Sequence, residues 1–255
     1  TAEVSATMEI AAKHGVPVVP QGARSGLSGA ANAIDGCIVV SLEAMDQVVR
    51  IDTANRYVVT QPGVFNAVLA RAVAEKGLFY PPDPSSKEFC TIGGNLATNA
   101  GGLCCVKYGV TTDYVLGLGV VLASGEVLRT GRTTVKGVAG YDLARLFVGS
   151  EGTLGIITEA TLRLRSSAER PKTLAATFAS SGDAARAVTA VVTSTIVPSL
   201  LEFMDRVSVH AVNEMFKLGF DDAVDAVILA QSDAGGAAGD AEIARTGVSF
   251  SEACV

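Results

Sequence analysis

The chain has 255 residues, 49% of them hydrophobic and 18% charged, with a formal net charge of −6. That length can bury roughly 70–75% of the unfolded surface, in one large domain or two. The acidic balance lacks the basic stripe that broad nucleic-acid binding needs, and no apolar run approaches the roughly 18–20 residues of a membrane helix.

Ala2–Lys13 reads as a helix ended by Gly15, with Lys13 and His14 at the negative end of its dipole. The segment has neither the basic start nor the compact apolar core of a signal peptide. Val16–Val19 reads as a short buried strand, followed by strand-like runs at Cys37–Leu42, Val48–Asp52 and Tyr57–Gln61. Helical spacing of apolar residues runs from Val64 to Lys76 and stops at Gly77. The prolines of Pro81–Pro84 make a rigid extended segment. Leu116–Leu122 and Glu126–Thr130 flank Ser124-Gly125 as a hairpin, and Asp142–Val148 reads as a short helix. Ile156–Arg165 alternates apolar and polar residues, as a half-exposed strand does. Ser166–Lys172 reads as a linker. Beyond it, strand-like Thr173–Phe178, Ser199–Met204 and Ala226–Gln231 alternate with helix-like Asp183–Thr193 and Val207–Phe216, and a further helix starts between Ala234 and Ala244. The chain opens on Thr1 with a helix already under way and stops at Val255 just after a small, Ser-containing stretch, which reads as a fragment.

Residues 90–102, CTIGGNLATNAGG, place four glycines and two asparagines in thirteen uncharged residues. Similar loops lie upstream at Pro20–Ala31 (PQGARSGLSGAA) and downstream at Gly149–Gly155 (GSEGTLG). One such loop is often only a tight turn. Three together suggest a long anionic cofactor held mainly by main-chain amides, because glycine lets the backbone approach a ligand closely. The familiar nucleotide signatures are missing. Gly22, Gly26 and Gly29 are spaced GxxxGxxG, no loop ends in GK[ST], and the GxG at Gly117 and Gly119 precedes a strand.

The runs VPVVPQGARSGLSGAA, PPDPSS, TIGGNLATNAGGLCCVKYG and GYDLARLFVGSEGTLGIITEATLRLR resemble the flavin-binding domain of the vanillyl-alcohol oxidase superfamily. Within it they are most similar to the FAD-linked 2-hydroxy-acid dehydrogenases, and the resemblance covers about Ala2–Arg165. It implies an α+β fold: a two-subdomain FAD-binding domain of the PCMH type over residues 1–166, then the start of an α/β cap domain over residues 173–255. LLEFMD at Leu200–Asp205 resembles the start of that cap. It also implies FAD contacts. Pro20, Gln21, Gly22, Ala23, Arg24, Ser25, Gly26, Leu27 and Ser28 would wrap the pyrophosphate, and Pro82 and Ser86 would lie along the isoalloxazine. Gly93, Gly94, Asn95, Thr98, Asn99, Gly101, Gly102 and Gly109 would line the flavin and diphosphate path. Glu151, Gly152, Ile156 and Ile157 would close over the ribityl and adenine parts. Some relatives attach FAD covalently through a histidine in the first loop. Here Ala23-Arg24-Ser25 stand instead, so noncovalent FAD is expected. Arg24 could contact the pyrophosphate or point to solvent.

The resemblance implies oxidation of a small D-2-hydroxy acid (lactate, glycolate or 2-hydroxyglutarate) to the 2-oxo acid by hydride transfer to flavin. A non-catalytic FAD-binding module or subunit of a larger oxidase complex is the alternative. Such chemistry needs a base for the hydroxyl proton and cations for the carboxylate. In the resembling enzymes these come largely from a later GDGNxH segment and metal-binding histidines, and neither appears here. A divalent metal is therefore expected only beyond this chain, and no catalytic residue is assigned. His14 and His210 read as peripheral or packed residues, Asp205 as a helix N-cap, and Tyr80, Tyr108 and Tyr141 as undifferentiated pocket candidates. Cys37, Cys90, Cys104, Cys105 and Cys254 have no CxxC spacing and read as structural thiols. The expected partners are the hydroxy acid, an electron acceptor such as another redox subunit, and a second copy in a homodimer. The expected location is cytoplasmic or peripheral to the inner membrane.

Overall fold

The computed structural model describes residues 1–167 and 170–252. The chain divides into two compact units. One comprises Thr1–Gly102 with Gly109–Ser167; the other joins Leu103–Tyr108 to the stretch beyond Ser167.

The first unit begins with α1 (Ala2–His14), closed by Gly15 in the left-handed region at φ 64°, where Val16 N–H reaches back to Ala11 O at 2.9 Å. β1 (Val18–Gln21) and β2 (Ile38–Ser41) pair in parallel. A five-stranded antiparallel sheet follows, in the order β3 (Val48–Asp52), β4 (Tyr57–Thr60), β8 (Ile156–Arg163), β6 (Val115–Val121) and β7 (Val127–Gly131). Strand position explains composition. β6 is interior and its VLGLGVV run is buried almost throughout, whereas edge strand β7 alternates exposed and half-buried residues. Val4 and Met8 of α1 pack on Val121 and Ile156 of this sheet and on Leu42. α2 (Asn66–Ala74) buries Ala67, Leu69 and Val73, the stripe its helical spacing predicts. The two-residue strands β5 (Leu78–Phe79) and β9 (Arg165–Ser166) pair with each other. α5 (Leu143–Phe147) is capped by the Asp142 side chain.

One segment departs from its sequence reading. Within the glycine-rich stretch 90–102, Ile92–Thr98 is a helix, α3, and not a loop. Two glycines should cost it about 1 kcal/mol each relative to alanine. Tertiary packing offsets that, because Ile92 and Leu96 lie four residues apart and are both fully buried. Thr91 caps its start by accepting from Gly94 N–H at 3.2 Å, and Asn99 ends it at φ 49°.

The second unit carries β10 (Lys172–Phe178), α6 (Ser181–Val192), β11 (Leu200–Asp205), α7 (Arg206–Phe216), β12 (Ala226–Ser232) and α8 (Gly236–Glu252). β12 lies between β10 and β11 and antiparallel to both, so the alternation forms a split β-α-β sheet. Phe178, Ala184, Val191, Ile228 and Phe250 form its core, with Phe178 and Phe250 edge to face at 6.0 Å. The excursion Leu103–Tyr108 contributes the single-turn helix α4 (Cys105–Tyr108), whose Lys107 and Tyr108 both donate to the Asp233 carboxylate. The proposed linker at Ser166–Lys172 spans residues 168–169, which lie outside the described residues, as does Cys254. Among the described residues, no helix is long and apolar enough to cross a membrane.

Candidate functional site

The three glycine segments meet. They line one cleft of about 450 Å³ within the first unit, a size typical of small-molecule sites. Loop 1 (residues 22–31) leaves β1 and is drawn shut at its base by Gln21 Nε2, which donates to Ala31 O at 2.6 Å. Loop 3 (residues 149–155) meets loop 1 where Ser28 Oγ donates to Glu151 Oε2 at 2.8 Å. The approach is close enough to dictate residue type. A Cβ on Gly22 would lie 2.5 Å from Thr91 Oγ1, and one on Gly152, already at φ 80°, would lie 2.6 Å from Pro20 Cγ.

The segments divide the work unequally. Main-chain donors of α3 are already engaged: Ile92 N–H on Val64 O at 2.8 Å, Gly93 N–H on Pro62 O at 2.7 Å, and Gly94 N–H on Thr91. In loop 3, Gly149 N–H donates to Leu96 O and Glu151 N–H to Ala97 O, each at 2.9 Å, bracing α3. Loop 1 differs. Among the described residues, no main-chain N–H from Gly22 to Ser28 donates to the protein. Arg24 adopts the left-handed region at φ 57°, which bends this run of amides as anion-binding nests are bent. The Arg24 guanidinium lies 3.9 Å from the Glu43 carboxylate with both side chains exposed, so the pair contributes little stability.

Of the residues assigned from sequence, Pro20–Ser28, Ser86, Gly93, Gly94, Asn95, Thr98, Asn99, Gly101, Glu151, Gly152, Ile156 and Ile157 line the cleft. Pro82, Gly102 and Gly109 lie outside its lining. Pro82 O accepts from buried Asn66 Nδ2 at 3.0 Å, Gly102 packs against the Asp83 main chain, and Gly109 turns the chain at φ 80° beside Asp113. The sequence reading missed Leu42, Pro62, Thr91, Ser150, Gly155 and the alanines at 30, 31, 97 and 100, which complete the wall. Apart from Leu42 and Pro62, which stand in stretches where no residue was chosen, they lie within three positions of chosen residues, and alternate residues of those same turns and helix also reach the cavity.

The tyrosine candidates are elsewhere. Tyr80 is buried edge to face against Tyr114 at 6.1 Å, and burial pushes its hydroxyl above the tyrosine range. Tyr108 is bound to Asp233, and Tyr141 is 95% exposed. His14 closes α1 and His210 lies on α7. Asp205 caps α7, accepting from Ser208 N–H at 2.9 Å; that bond holds its carboxyl below the usual range. Among the described residues, no group of three or more His, Cys, Asp or Glu side chains could hold a metal ion.

Comparison with known proteins identifies the family. Residues 1–131 match the family described as the FAD binding domain. The chain belongs to that family. Residues 167–254 match a second description, the C-terminal domain of FAD linked oxidases. FAD is the cofactor. The cleft suits it chemically, with open amide donors for an anionic diphosphate and apolar Leu42, Pro62, Ile156 and Ile157 for planar rings. The glycolate oxidase subunit GlcD of Bacillus subtilis (strain 168) is 46% identical over 233 residues, covering 91% of this chain and 50% of that protein. A D-lactate dehydrogenase of Anaerostipes hadrus is 42% identical, covering 81% and 43%; a D-2-hydroxyglutarate dehydrogenase of Stutzerimonas stutzeri (strain A1501) is 39% identical, covering 82% and 42%. The chain spans about half the length of the curated relatives it matches. An alkyldihydroxyacetonephosphate synthase structure superposes with a TM-score of 0.85 at 23% identity, over 98% of this chain and 49% of that one, which shows a shared fold.

Proposed function

We propose that the protein to which this chain belongs oxidises a small D-2-hydroxy acid (lactate, glycolate or 2-hydroxyglutarate) to the 2-oxo acid. Residues 1–166 serve as its cofactor domain and residues 173–255 as part of its substrate domain. The observation that carries the reading is the convergence of three glycine segments on one cleft, with the main-chain N–H groups of Gly22–Ser28 meeting no acceptor among the described residues. When bound, FAD supplies the hydride acceptor.

The chain's own residues bind and orient. Gly22–Ser28 hold the diphosphate through main-chain amides, and Leu42, Pro62, Ile156 and Ile157 exclude water from the rings. Pro82, Gly102 and Gly109 shape the surrounding turns. Attachment is noncovalent, because the first loop carries Ala23-Arg24-Ser25 without a histidine. The base and any divalent metal lie in the part of the protein beyond this chain, and electrons leave to a separate acceptor. The relatives named D-lactate and D-2-hydroxyglutarate dehydrogenase support the substrate class.

A second reading draws on the relative named as a subunit of glycolate oxidase: the protein binds FAD while a partner completes the chemistry. Anaerobic mixing of the full-length protein with each acid separates the two. Loss of flavin absorbance with one of the three supports the first reading. Bleaching only after a partner is added supports the second, and no bleaching under either condition rejects the substrate class.

A further inference from the structure

Residues 135–146 of the first unit leave five large apolar side chains open: Val135, Val138, Tyr141, Leu143 and Leu146. Val138 is 88% exposed. Single exposed apolar residues are ordinary on a soluble protein, but a run of them marks a surface that something else covers. The stretch has a defined shape. Arg132 Nε donates to Thr134 O at 3.1 Å and Thr134 Oγ1 donates to Lys136 O at 3.0 Å, which curls the turn leaving β7. α5 then packs on β6 and β7, with Ala144 and Phe147 buried. Leu143 and Leu146 stay open, and the charged residue of α5, Arg145, lies 3.7 Å from Asp113 and 3.3 Å from Asp142. A helix that is apolar all round is built to be buried all round.

The place of this surface points to its occupant. Phe147 O, at the end of α5, accepts from Ser150 N–H at 3.2 Å, and Ser150 lines the FAD cleft. Next to Asp113, Thr112 N–H donates to Asn99 Oδ1 at 2.9 Å, and Asn99 lines the cleft as well. The open stretch therefore leads to the cleft rim. Among the described residues lining that cleft, only Arg24 and Glu151 are titratable, and Glu151 already accepts from Ser28 Oγ. A base for a hydroxy acid has to be brought there, and the chain spans about half the length of its curated relatives.

We infer that residues 135–146 seat the part of the protein outside residues 1–255, and that docking there brings its catalytic groups to the cleft rim. The inference rests on the hydroxy-acid reading and adds to it the surface on which the two parts join.

The test uses the full-length protein with FAD bound and p-benzoylphenylalanine placed at Tyr141. Irradiation at low protein concentration is followed by mass spectrometry of the digest. The expected product has the mass of one chain and joins position 141 to a peptide outside residues 1–255. A product of twice that mass would place a second copy on the surface and overturn the inference. A cross-link to another protein, to a peptide within residues 1–255, or to nothing would overturn it equally. A second variant reads the consequence. Val138→Asp should slow reduction of the flavin by the hydroxy acid roughly tenfold or more, with FAD affinity unchanged, because Val138 is not part of the cleft lining. Unchanged flavin reduction, or an equal loss of FAD affinity, would contradict the role assigned to docking. The cross-link is read without substrate, so absence of bleaching by any hydroxy acid would reject the substrate class and leave the docking surface standing.

Discussion

Gly22 illustrates how single atoms set the limits of this site. Its missing Cβ leaves room for Thr91 Oγ1, the oxygen that caps α3. Gly22→Val should therefore displace loop 1 and disturb the α3 cap together. FAD affinity should fall by at least roughly tenfold, about 1.4 kcal/mol, as measured by fluorescence titration. Thr91→Ala isolates the cap. It should lower stability by about 1 kcal/mol, and Tm by roughly 2–4 °C, in a thermal melt. Neither role could be read from residue type alone, because the Gly22–Thr91 approach brings together positions far apart in the chain. The sequence showed that glycine was needed near residue 22, but not what it had to avoid.

At the scale of elements, the strands and longer helices were legible because burial imposes its period on composition. The interior β6 is continuously apolar, and α2 shows a clean helical stripe. α3 was hidden by its glycines, although the Thr91 and Asn99 caps and the Ile92–Leu96 spacing were present as signals. The excursion Leu103–Tyr108 into the second unit had no local signature. What fastens it is Asp233, 126 positions from Lys107 and 125 from Tyr108, receiving hydrogen bonds from both. Partial burial pushes the Asp233 carboxyl upward, but the bonds from Lys107 and Tyr108 and the Lys107 charge outweigh it, leaving it below the usual range. A carboxyl lowered on folding stabilises above its unfolded pKa of about 3.9 and loses that contribution as pH falls through the folded value. Stability measured by denaturant titration should thus drop below about pH 4 more steeply in wild type than in Asp233→Asn. At neutral pH the same substitution should cost on the order of 1–3 kcal/mol, because it weakens hydrogen bonds to a charged group.

For the molecule as a whole, the glycine segments made a shared cleft legible, while its division of labour required coordinates. All three were expected to supply amides. In the structure, the first donors of α3 are consumed by Val64, Pro62 and Thr91, and those of Gly149 and Glu151 by carbonyls of α3, whereas Gly22–Ser28 presents an unbroken run of N–H groups with no acceptor among the described residues. Chemistry at the first loop also fixes an expectation for the intact protein. With no histidine at Ala23-Arg24-Ser25, acid precipitation should release the yellow chromophore into the supernatant. The most direct test of loop 1 as the cofactor's main-chain clamp is hydrogen–deuterium exchange of the full-length protein with and without FAD. Saturating FAD should slow exchange strongly across Gly22–Ser28, with smaller changes at Gly149–Thr153, where most amides are already bonded. Unaltered exchange in Gly22–Ser28 while FAD is demonstrably bound would contradict the account.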